Sequence, residues 1–124
     1  MRQARQQNRA QTEEPVIFTR WVDFLAWLLS NTEKFPKRIR FTFVNRIDNL
    51  ALDIVEDLIE ARYCQDKLPV LHRINLRLEK LRILLRLCHQ AHYLPNRGYE
   101  HAARELNEVG RMLGGWIKQQ QGRS

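Results

Sequence analysis

Apolar residues recur along almost the whole chain at steps of three and four, the spacing of an α-helix with one buried face. From Val16 to about Ser30, Phe18, Trp21, Phe24, Leu25 and Leu28 line one side, and Ile17, Val22 and Leu29 widen the stripe. A sector that broad predicts a helix covered by several neighbours. Asn31 and Thr32 end it. The polar linker Thr32-Glu33-Lys34 then leads to Pro36, a residue tolerated in a first helical turn. A second helix is expected from Pro36 to about Tyr63. In it Phe43, Ile47, Leu50, Ile54, Leu58 and Ala61 form one row, with Val44, Ala51, Val55 and Ile59 beside it.

Gln65-Asp66-Lys67 reads as a turn, and Pro69 opens a third helix reaching about Leu94. Leu71, Ile74, Leu78, Leu81, Leu85 and Cys88 make an a/d seam along it. Pro95-Asn96-Arg97-Gly98 breaks the pattern. A fourth helix follows to about Lys118, with Tyr99, Ala102, Leu106, Val109, Leu113 and Trp116 in its row. Short polar turns make successive helices antiparallel, so the expected fold is an all-α, up-down-up-down four-helix bundle. Strand-like alternation is absent, as is any repeat beyond the helical period. The expected organisation is a disordered basic arm over residues 1–14, the bundle over 15–118 and a polar tail over 119–124.

Composition narrows the class. A length of 124 residues is one domain's worth, and 44% hydrophobic with 28% charged residues excludes a disordered chain. No apolar run reaches the ~18 residues that a membrane span needs, and no signal peptide opens the sequence. Two cysteines in a small chain fit a reducing compartment, so a cytoplasmic location is expected and no membrane partner.

Charge changes the picture most. The net charge is +7, and 16 of the 21 basic residues are arginine, which favours phosphate or carboxylate partners. Residues 32–46 carry +4, residues 47–66 carry −5, and residues 67–97 carry +6. The first basic group, Lys34, Lys37, Arg38, Arg40 and Arg46, sits at the start of the second helix, where the helix dipole favours anions instead. An anionic partner would supply the missing negative charge. The second group lies on the third helix. Arg73, Arg77 and Lys80 share one face, and Arg82, Arg86, His89 and Tyr93 share another, where phosphates and exposed bases could be held. A plain alternative is a salt-bridged surface, with Asp53, Asp57 and Glu60 of the second helix as partners.

Candidate catalytic chemistry is thin. Cys88 and His92 have a metal-compatible i, i+4 spacing, but no second ligand pair accompanies them, and Cys88 falls on the apolar seam. Neither serine lies in a nucleophile elbow, and no glycine-rich phosphate loop occurs. The expectation is a non-enzyme with no metal and no cofactor. Gly110, Gly114 and Gly115 each cost about 1 kcal/mol relative to alanine inside a helix. Gly110 and Gly114 share a face, so close helix packing or an oligomer contact is expected there.

The run Phe35-Pro36-Lys37-Arg38, the run Arg46-Ile47-Asp48-Asn49-Leu50-Ala51 and the helix-four end Glu108-Val109-Gly110-Arg111-Met112-Leu113-Gly114-Gly115-Trp116-Ile117 are familiar. Together they resemble a superfamily of small bacterial four-helix bundles that includes ribosomal-RNA intervening-sequence proteins. The helix-four end is most similar to the accessory variability determinant (Avd) proteins of diversity-generating retroelements. The resemblance covers about Val16 to Lys118. It implies a barrel-like homopentamer with basic surfaces, association with the element's reverse transcriptase and with RNA or DNA, and no catalytic site. No sharp binding motif transfers with it, so the basic residues named above are candidates on charge alone. The competing expectation is an oligomeric scaffold with protein partners only.

Overall fold

The computed structural model describes the backbone of residues 13–123 and the side chains of residues 16–123. The predicted N-terminal arm lies outside the described residues, apart from Glu13 and Glu14, which open the first helix. The helices are α1 (Glu13–Thr32), α2 (Asn45–Tyr63), α3 (Leu68–Gln90) and α4 (Asn96–Gln121). No strand occurs among the described residues. Each helix packs on the next and α4 returns to α1, so the up-down-up-down bundle is closed. None of these helices is long and apolar enough to cross a membrane.

The rows of apolar residues on α3 and α4 are buried as their spacing requires: Leu71 to Cys88 on α3, and Ala102 to Trp116 on α4. On α1 the fully buried Trp21 reaches across to α2, where its indole N–H donates to the Ala51 carbonyl at 2.9 Å. That bond satisfies the one polar atom of a large core side chain. Ile17 is inside while Phe18 lies at the rim, a rotation of the stripe by one position.

The expected helix from Pro36 to Tyr63 is not continuous. Lys37–Ile39 form a 3-10 turn and Arg40–Val44 a π turn, and regular α-helix begins only at Asn45. The spacing of anchors explains this. Phe35, Ile39 and Val44 are all buried, and the five-residue step from Ile39 to Val44 exceeds what an α turn spans. The π turn brings both ends of that step to the core and leaves Phe41 outside, 84% exposed.

Helix ends are closed by side chains and turns. Lys67 Nζ donates to the carbonyls of Ala61, Arg62 and Cys64, which places a cation at the negative end of α2. At the end of α3, His92 adopts φ 65. The His92 N–H then donates to the His89 carbonyl and the Tyr93 N–H to the Cys88 carbonyl, a Schellman closure. Helix α4 runs on through Gln121, so Gln119–Gln121 are helical rather than a loose tail.

Candidate nucleic-acid interface

The two basic groups meet different fates. On α3, Arg73 and Arg77 point at α2. Arg73 donates to Asp57 at 3.0 Å and to Glu60 at 2.7 Å. Arg77 bonds the other Asp57 oxygen and lies 4.0 Å from Asp53. Asp57 is buried, so its charge is held by two guanidiniums rather than by water. Its bonds to Glu60 and Asp57 push the Arg73 guanidinium still further up from its ordinary value. The salt-bridged alternative therefore holds for these two residues.

Arg82 leans the other way, onto α4. Its Nη2 donates to the Leu106 carbonyl at 3.1 Å and its Nη1 pairs with Glu79. A Cβ at Gly110 would lie 2.7 Å from that Nη2, so Gly110 makes room for an arginine head rather than for a helix backbone. Gly114 and Gly115 meet nothing within 4 Å, and no other helix of the chain approaches them. Arg82, Arg86, Glu79, Tyr99 and Asn107 line a cleft of about 230 Å³ between α3 and α4. His89 is committed beside it: the ring stacks on Tyr99 at 4.3 Å and Nε2 donates to Asn96 Oδ1.

The first basic group is arranged otherwise. The end of α1, the linker, the start of α2 and the α3–α4 turn meet at one end of the bundle. Thr32 donates to Asp48 across α1 and α2, and the Phe35 ring lies 6.4 Å from that of Tyr93. Arg38 leans over the Tyr93 ring and donates to its hydroxyl at 3.4 Å. Lys34, Lys37, Arg40 and Arg46 are exposed, and none is in an ion pair among the described residues. Asp48 is the nearest carboxylate in sequence to Arg46, yet it turns inward to Thr32, and burial raises its pKa despite that hydrogen bond.

Phe41 sits among these cations and escaped the sequence reading, because helical spacing gives a linker aromatic no distinguishing mark. Arg97, on the first turn of α4, belongs to the same end and carries no ion pair among the described residues. An exposed aromatic ring within a set of unpaired cations can stack on a base while its neighbours hold phosphates.

The Cys88–His92 pair resolves into structure. Cys88 is buried in the seam, and burial pushes its thiol up to about 11. His92 is the left-handed residue that closes α3. Among the described residues, no three of His, Cys, Asp and Glu converge to hold a metal ion.

Comparison with known proteins gives one match. The family model described as bAvd-like matches residues 15–120. No curated protein and no solved structure matches the chain.

Proposed function

The chain belongs to the bAvd-like family, and from that premise we propose that it is a non-enzymatic accessory subunit of a diversity-generating retroelement. In this reading it acts as a homo-oligomer, a pentamer, binding template RNA or its cDNA copy together with the reverse transcriptase to support mutagenic retrohoming. The observation that carries the nucleic-acid part is the basic end. Lys34, Lys37, Arg40 and Arg46 surround the exposed Phe41 without internal neutralisation. Cations left unpaired on a surface attract polyanions and gain from counterion release. Arg38, held over Tyr93, adds a cation within the same patch. Lys80, Arg82 and Arg86 remain secondary candidates, whereas Arg73 and Arg77 act chiefly inside the bundle.

A second reading is an oligomeric scaffold with protein partners only. It is favoured by the pairing of Arg73 and Arg77 with α2, which removes part of the basic surface from use. Salt-titrated binding to template RNA, unrelated RNA and DNA separates the two. The expected result is affinity falling linearly on a log–log plot with a slope near −0.7 per phosphate contact for single strands. Co-purification with the reverse transcriptase tests the polymerase contact. Weak binding that ignores salt would favour the scaffold.

A further inference from the structure

Two exposed helix faces carry the same pattern with opposite charge. On α2, Asp57 and Glu60 face α3, and Asp48 faces Thr32 of α1. Away from the core row lie Leu52, Glu56, Ile59 and Tyr63, at i, i+4, i+7 and i+11, which share one stripe. Leu52 and Ile59 are 44% and 45% exposed. On α3, Arg73 and Arg77 face α2 and Arg82 faces α4. Its outward stripe is Leu76, Lys80, Ile83 and Leu87, at the same four spacings, with Leu76 56% and Ile83 44% exposed. Glu56 and Lys80 occupy the same place in the two stripes, and neither is in an ion pair among the described residues.

Large aliphatic side chains repeated at seven and eleven form the seam by which helices pack against one another, with flanking charges choosing the partner. Inside one chain α2 and α3 already turn other faces to each other, so these two stripes cannot meet within it. We propose that the α2 stripe of one copy docks against the α3 stripe of a second copy. Copies arranged around an axis along the bundle present α2 and α3 to each other antiparallel. Leu52 then faces Ile83, Ile59 faces Leu76, and Glu56 meets Lys80 at the centre. Val22 and Leu29, exposed on the flank of α1 that borders α2, widen the receiving surface.

The contact uses two different surfaces, one per side, and so is heterologous. The stripes lie on neighbouring helices and do not look in opposite directions, so successive copies turn and the series closes into a ring. Lys80 is thereby assigned to a subunit junction instead of to nucleic acid. The inference rests on the homo-oligomer of the proposed function and supplies the surfaces that build it.

The test is sedimentation of the full chain at micromolar concentration, with circular dichroism to verify helicity. Wild type is expected as a closed oligomer, and Ile59→Asp and Ile83→Asp each as a monomer. Each variant keeps one intact stripe, so an equimolar mixture should give a heterodimer and nothing larger. Glu56→Lys or Lys80→Glu alone should weaken assembly at least about tenfold, and the double swap should restore it. Homodimers of either Asp variant would mean a self-complementary contact and overturn the proposal. Full-sized oligomers of both Asp variants would show that other surfaces build the assembly, leaving the homo-oligomer reading intact. A monomeric wild type would remove that reading and this inference with it.

Discussion

Arg73 and Arg77 on α3 and Lys37 and Arg40 ahead of α2 are alike in charge and density along the chain, yet they do different things. The α3 pair faces a helix that presents Asp53, Asp57 and Glu60 at the same level, and its charge is consumed inside the bundle. The linker cations stand where two helix ends and a turn meet, and the carboxylate within reach in sequence, Asp48, turns to Thr32 instead. Segment charge therefore does not measure available charge. What a neighbouring element presents at the same height decides it.

Asp57→Ala gives the sharpest break in that comparison. Two guanidiniums lose a buried counter-charge, and chemical denaturation should show a loss of about 3 kcal/mol. Lys37→Ala with Arg40→Ala should move stability by less than about 0.5 kcal/mol, since nothing in the bundle depends on those heads. Equal losses at the two sites would erase the distinction.

Binding should show the reverse order. Changing Lys34, Lys37, Arg40 and Arg46 to Gln should flatten the salt dependence of RNA affinity by about 3 in log–log slope. Arg73→Gln with Arg77→Gln should flatten it by less than about 1. A greater effect from the α3 pair would mean that the ion pairs with α2 open on binding. Phe41→Ala is expected to weaken single-stranded RNA by about tenfold and leave duplex affinity unchanged, with Phe41→Tyr retaining the wild-type value. Fluorescence anisotropy with both substrates measures it.

The smallest effect belongs to Asp48. Burial raises its folded pKa above the ordinary carboxylate value, so the folded state holds this proton more firmly than the unfolded state does. Its contribution therefore falls as pH rises from the ordinary carboxylate range through the raised value, and at pH 7 the charged form is a small cost. Asp48→Asn keeps a partner for Thr32 and should raise Tm slightly at pH 7, with the gap closing in acid. A lower Tm would show that Asp48 neutralises the basic end after all.

The four helices and nearly all core positions were legible in the sequence, because a strict three-four spacing leaves a bundle few alternatives. The irregular entry to α2 was not. Its sign was there, in a five-residue step between the buried Ile39 and Val44, but the step shows as a break only once both residues are known to be inside. The role of Gly110 was half legible. A missing side chain signalled close approach, but the approaching group is Arg82, whose long reach has no helical period. Of the candidate site, the residue types were visible and their pairing was not, since pairing depends on the relative height of two antiparallel helices.

The π turn at Arg40–Val44 has one more consequence, in terms of chain length. A π turn holds one residue more than the α turn it replaces. It acts as slack: a residue gained or lost between Ile39 and Val44 is absorbed locally, while α2 keeps its register with Trp21 and with the arginines of α3. The linker cations and Phe41 can thus be reshuffled by insertion and deletion as well as by substitution. The bundle and its polyanion-facing end are free to change at different rates.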